Sequence, residues 1–262
     1  MTTTFGDVHA SVADGHVGVA EIRRPPDNFF DAELIGALAD ALDWLAGQGA
    51  RAVVLGSQGK HFCAGADFSG RSPHARPIGA AGGARELYEQ AFRLFQAPVP
   101  VIAAVQGAAV GGGLGLACAA DFRVTSPQSR FSANFARIGL HQGFALSVTL
   151  PAIVGPQRAA DLLYTGRRMG GEEAVRTGLA DRLADNPEQL RAAAGELAAE
   201  IASAAPLAVL AIRTTMRADL ADKAMAAMER ELAEQSKLWP TSDFAEGVRA
   251  AAERRPARFE GR

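Results

Sequence analysis

Apolar residues fall into two kinds of run along this chain, and the two kinds alternate. Residues 17–22 and 52–55 are short apolar stretches of strand length. The second is continuous rather than alternating, as parallel strands covered on both faces are. Between them Leu34, Ile35, Leu38, Leu42 and Leu45 recur at helical spacing behind Asp31, which predicts a capped helix over 32–46. The same reading gives a helix over 85–95, a strand over 99–105, a helix over 114–119 and a strand over 122–125. A short strand or turn follows at 131–135 and a loop at 138–144. Helices are expected at 146–154, 157–164 and 172–177, with a strand at 178–183.

Beyond residue 187 the pattern is helical throughout: 187–204, 207–219, 222–238 and 244–254. Alternation followed by an all-helical tail predicts an α/β core over 1–204 and a helical region over 205–262. In that tail Met225, Met228, Leu232 and Trp239 form an apolar stripe. It reads either as core packing or as a subunit interface.

Composition narrows the class. The chain has 262 residues, of which 48% are hydrophobic, enough for one large core. Charged residues at 21% and a net charge of −2 exclude a broadly basic nucleic-acid surface. Residues 99–120 are almost wholly apolar and long enough to cross a bilayer. Pro100, Gln106 and five glycines interrupt them, so a buried strand, a tight turn and a buried helix are expected instead. The first residues lack a basic and apolar leader pattern, which makes a cytoplasmic protein away from membranes the expectation. Cys63 and Cys118 read as reduced thiols rather than a disulfide framework. No metal site is expected.

Two glycine-rich corners carry the candidate chemistry. The first is the run from Lys60 through His61, Phe62, Cys63, Ala64, Gly65 and Ala66 to Asp67; the second is Gly111-Gly112-Gly113. Each reads as a strand ending in a turn that exposes backbone N–H groups. Brought together, donors near Ala66 and Gly112 suit a carbonyl oxygen that gains negative charge. Gly112 also heads the helix read at 114–119, where the helix dipole favours anions. Taken alone, the triple glycine reads equally as a tight packing turn. Asp67 reads as a turn cap, and Lys60 and His61 as solvent-facing.

The corners with their surroundings, RAVVLGSQGKHFCAGADF (51–68) and PVIAAVQGAAVGGGLGLACAADFRV (100–124), resemble the crotonase superfamily, also called the enoyl-CoA hydratase/isomerase family. RRPPDNFFDAELIGAL (23–38) looks like its N-terminal ligand segment. LLYTGRRMGGEEAVRTGLADRL (162–183) and SDFAEGVRAAAERRPARFEG (242–261) resemble later family segments. The resemblance implies the ClpP/crotonase fold, an α/β spiral of ββα units with a C-terminal α-helical trimerisation region. It implies a homotrimer or homohexamer and acyl-CoA ligands, with coenzyme A as part of the substrate rather than a separate cofactor. The backbone N–H groups of Ala66 and Gly112 are the implied oxyanion hole. Ala64, Gly65, Asp67 and Gly111 surround the ligand, Ala64 meeting the adenine through backbone atoms. Arg24 is the implied contact to a coenzyme A phosphate. The family often has a basic residue just after the first proline of this segment, where this chain has Pro26.

The same resemblance exposes a gap. Hydratases of the family hold and activate water with two glutamates, and the corresponding positions here are Gly115 and Phe135. Neither transfers a proton, and no carboxylate lies within two residues of Phe135. The next loop carries His141 and Gln142. Histidine is the side chain that ordinarily titrates nearest working pH, which makes His141 the candidate acid or base. The alternative is a His141 that only packs beside the pocket. His74 is a second candidate that closes over the ligand, and Tyr88 and Phe92 are expected in the acyl pocket or the core. Phe135 makes the acyl end apolar and favours a hydrophobic or aromatic acyl group. The expectation is thus an acyl-CoA protein that stabilises a thioester enolate without two-glutamate hydration. The alternatives are decarboxylation, double-bond isomerisation or C–C cleavage with His141, or acyl-CoA binding without catalysis.

Overall fold

The structure, a computed structural model, describes residues 1–13, 15–68, 70 and 81–262. Strands β1 (Thr2–Phe5), β2 (Val8–Val12) and β3 (Val17–Ile22) form an antiparallel meander. Helix α1 (Ala32–Gly47) starts where Asp31 accepts the Leu34 N–H at 2.9 Å. It returns the chain to β4 (Ala52–Ser57), parallel to β3 with Val17 opposite Ala52. Helix α2 (Ala81–Phe95) then leads to β5 (Val101–Val105), parallel to β4.

The next units are shorter: β6 (Ala108–Val110), α3 (Gly112–Ala119), β7 (Phe122–Thr125), β8 (Arg130–Ser132) and a 3-10 helix Asn134–Ile138. Helices α4 (Leu146–Val154) and α5 (Pro156–Thr165), strand β9 (Arg168–Gly170), α6 (Gly171–Arg176) and β10 (Arg182–Leu183) complete the core. Helices α7 (Leu190–Ser203), α8 (Pro206–Met216), α9 (Leu220–Leu238) and α10 (Ser242–Glu253) end the chain.

The strands make two sheets, a seven-stranded one in the order β1-β2-β3-β4-β5-β7-β10 and a three-stranded one in the order β6-β8-β9. Every residue of β4 and β5 is buried, which is why their apolar runs are unbroken. Alternate residues serve the two faces. Val53, Leu55, Val101 and Ala103 pack into the core with α1 and α2. Val54, Ile102 and Val124 pack under Leu190, Ala194 and Leu197 of α7. Cys63 bridges in parallel to Ala109 of β6, so the first glycine corner is tied to the small sheet.

The differences from the sequence pattern are local. Strands β1, β2, β6 and β9 are too short, or too polar on one side, to show as apolar runs. Helix α3 begins two residues early, at Gly112, and α7 begins at Leu190 rather than 187. Three of the four stripe residues on and beside α9 pack in the core: Met228 is fully buried, and Leu232 and Trp239 pack against it, while Met225 is half-buried outside that cluster. Leu207, Ile212 and Met216 of α8 are open to solvent. Helix α9 packs on α2 and α4, and α10 on the 3-10 helix. No single helix among the described residues is long and apolar enough to cross a membrane.

Candidate functional site

The two glycine corners meet. Cys63 donates its N–H to the Ala108 carbonyl at 3.0 Å and accepts the Val110 N–H at 3.1 Å. This short ladder lays the first corner along β6, directly before the triple glycine. Gly65 has a φ of +85°, and a methyl group on it would stand 2.7 Å from the Val110 carbonyl oxygen and 3.5 Å from the Gly112 nitrogen. A methyl on Gly113 would lie 2.1 Å from the Cys63 carbonyl oxygen. Only glycine lets the two turns approach this closely. Neither the Ala66 nor the Gly112 N–H has an acceptor among the described residues. Gly112 is the first residue of α3, so the positive end of that helix faces the same place.

In front of the corners lies a cavity of about 240 Å³. Its lining is strongly aromatic and includes Phe30, Phe68, Tyr88, Phe135, Phe144 and Trp239. Ala64, Gly65, Ala66, Asp67, Gly111 and Gly112 line it too, together with Gln235 of α9, Trp239 just after that helix, and Val248 and Ala251 of α10. The Phe30 ring covers Gly112, its tip 2.4 Å from where a methyl on that glycine would be. The Phe30 and Phe144 rings are 5.4 Å apart.

Gly115 and Phe135, expected at the acid positions, are both set in packed surroundings. A methyl on Gly115 would stand 2.6 Å from Cβ of Phe144, so the Phe144 side chain and its turn fill the ground where a longer residue would extend. Phe135 is buried and lines the cavity, its ring 3.7 Å from a methyl placed on Gly111. Asn134, which sequence reasoning passed over, lines the cavity beside it and brings a neutral amide.

Other candidates lie elsewhere. His141 and Gln142 do not line the cavity. The His141 ring bonds through Nδ1 to the Gln142 carbonyl at 2.8 Å, and Gln142 bonds Oγ of Ser147 at 3.1 Å. Their loop instead gives the cavity Leu140, Gly143 and Phe144. Arg24 is likewise no phosphate ligand in this arrangement. Its side chain is only 5% exposed, with Nε 2.5 Å from Asp7 and Nη1 3.0 Å from Asp31, so it braces the N-terminal segment. His74 lies outside the described residues. His61 is half-buried rather than solvent-facing: its Nδ1 accepts the Ala108 N–H at 3.2 Å, and burial lowers its pKa. Tyr88 lines the cavity, whereas Phe92 packs against the core.

The titratable groups of the cavity lining, among the described residues, are Asp67 and Tyr88. Burial and the nearby Glu231 carboxylate push the Tyr88 phenol above its ordinary range, and its hydroxyl donates to Oε1 of Gln235 at 3.1 Å. Cys63 is no nucleophile here, because burial pushes its thiol up to about 12. The site therefore offers two backbone donors, an aromatic enclosure and few proton carriers.

A family model described as enoyl-CoA hydratase/isomerase matches residues 13–262. A probable enoyl-CoA hydratase of Mycobacterium tuberculosis is 37% identical over 247 residues, covering 91% of this chain and 93% of that one. The cyclohexa-1,5-dienecarbonyl-CoA hydratase of Thauera aromatica is 33% identical over 254 residues, covering 95% of each. Among solved structures, an enoyl-CoA hydratase/isomerase of Pseudoalteromonas atlantica superposes with a TM-score of 0.84 at 29% identity, covering 97% of this chain and 100% of its own.

Proposed function

The chain belongs to the enoyl-CoA hydratase/isomerase family, and on that premise we propose that it holds the thioester carbonyl of an acyl-CoA at the N–H groups of Ala66 and Gly112. An enolate formed there keeps its negative oxygen between two preorganised donors at the head of α3. The observation that carries this reading is the contact of the two corners, with both N–H groups beside the cavity and without an acceptor among the described residues. Deleting one such donor in comparable sites costs about 10²–10³ in rate.

The acyl group is a ring or another compact apolar unit. An apolar cavity of about 150 Å³ holds benzene, and the space here is about 240 Å³ with seven aromatic side chains around it. The relative that hydrates a cyclic dienoyl thioester fits that reading. With Gly115 and Phe135 in place of acids, two-glutamate hydration is not the reaction. A C–C bond cleavage such as decarboxylation needs no base at the α-carbon. The breaking bond leaves its electron pair in the enolate, and a proton is needed only at the end. Asp67 is the lining carboxylate that can supply or relay it. Double-bond isomerisation demands more, a base that removes an α- or γ-proton.

A second reading is an acyl-CoA binding protein without turnover, favoured by the absence of His141 from the cavity. The exposed apolar face of α8 supports assembly into the trimer or hexamer that the family resemblance implies. The test is a panel of straight-chain and cyclic acyl-CoAs, with products read by mass spectrometry. Binding of cyclic thioesters with negligible hydration of crotonyl-CoA is expected. Hydratase-like turnover of crotonyl-CoA would sink the enolate-without-acids reading, and binding without any product favours the second.

A further inference from the structure

A buried carboxylate stands behind the cavity wall. Glu231 of α9 is fully buried and accepts the N–H of Ala145 at 2.8 Å and of Ser147 at 2.9 Å. One helical turn on, Nε2 of Gln235 donates to the His141 carbonyl at 3.1 Å and the Gln142 carbonyl at 3.4 Å. The Tyr88 hydroxyl in turn donates to Oε1 of Gln235 at 3.1 Å. Two side chains thus hold four backbone groups of one segment, 141–147.

That segment needs holding. Phe144 and Ala145 lie at φ of 60° and 59°, a left-handed pair that non-glycine residues adopt only where their surroundings hold them. The pair turns the Phe144 side chain inward against Gly115 and the Phe30 ring. It also brings Gly143 so near Tyr88 that a methyl there would lie 2.2 Å from the hydroxyl.

We propose that Glu231 is the positioning residue of this site: it pins the Phe144–Ala145 turn, and so sets the Phe144 wall that decides which acyl group fits. It touches no ligand and acts through Phe144. The choice of ligand rests on the acyl-CoA reading above, whereas the coupling between Glu231 and Phe144 does not. In Glu231→Gln the amide nitrogen faces an N–H instead of accepting it, so one of the two bonds is lost.

The experiment compares benzoyl-CoA with coenzyme A alone by titration calorimetry on the wild type, Glu231→Gln, Phe144→Leu, the double variant and Gly115→Ala. Glu231→Gln and Phe144→Leu should each weaken benzoyl-CoA about tenfold and leave coenzyme A within about twofold. The double variant should bind no more weakly than Phe144→Leu, because both changes act on one wall. Additive losses, or equal losses for coenzyme A, overturn the proposal. Should Glu231→Gln not fold, Gly115→Ala pushes the same turn from the other side. A selective loss there supports the proposal, and unchanged benzoyl-CoA affinity overturns it. If the wild type binds no acyl-CoA, the functional reading fails by itself. The thermal unfolding of the same four-protein cycle then decides the coupling: non-additive shifts support it and additive shifts overturn it.

Discussion

The cavity has two walls made by different means. One is backbone: Ala66 and Gly112 present N–H groups because the glycines at 65 and 113 let two turns touch. The other is side chain: Phe144, Tyr88, Gln235 and Trp239, set by a polar clamp on α9. In the proposed function the backbone wall supplies the chemistry that any thioester shares, and the side-chain wall supplies the shape of one acyl group. Gly115 is where the walls meet, since its missing side chain is what admits Phe144.

The sharpest way to break the backbone wall is Gly113→Ala. Its methyl would overlap a carbonyl oxygen at 2.1 Å, and neither partner is a flexible side-chain end. A loss of about 4 kcal/mol in chemical denaturation is expected; a loss below about 1 kcal/mol would mean the corners are not in contact. Arg24→Ala separates bracing from ligand binding. It leaves the buried Asp31 carboxylate unpaired and should cost about 3 kcal/mol of stability. Affinity for coenzyme A should stay within about twofold, and a tenfold drop would return Arg24 to the phosphate.

The side-chain wall carries its own pH signature. Burial holds the proton on Glu231 up to about 7, from an ordinary 4.5. A raised folded pKa means that this group's stabilisation is complete below about pH 4.5 and fades as pH climbs through about 7. The shift corresponds to about 3 kcal/mol over that window. The difference in unfolding free energy between the wild type and Glu231→Gln should fall with rising pH by that order. A flat difference would show a carboxyl that titrates alike in both states. The smallest effect is expected of His141→Ala, whose ring lies off the cavity: acyl-CoA affinity and any turnover should stay within about twofold. Abolished turnover would place His141 back in the mechanism.

Much of the first wall was legible in the sequence because its causes are local. Glycine spacing next to an apolar run says where chain turns, and the helical period behind Asp31 says where α1 starts. Three-residue strands such as β6 and β9 are too short to leave a period. The second wall was illegible for a different reason, since Glu231 meets Ala145 across 86 residues. One signal did exist. Glu231 and Gln235 continue the buried stripe of Ala224 and Met228 on α9, and a carboxylate inside an apolar stripe points to a buried partner. The bracing contacts of Arg24 left no trace in the sequence because its partners, Asp7 and Asp31, lie on both sides of it in the chain and carry no motif.

The central claim is that the carbonyl clamp persists without the acids. Isotope-edited infrared spectroscopy of an acyl-CoA labelled with carbon-13 at the thioester carbonyl reads that clamp in the bound complex. Two N–H donors at Ala66 and Gly112 should move the carbonyl stretch to lower frequency than in water. A stretch unshifted, or moved to higher frequency as in an apolar pocket, would contradict the account.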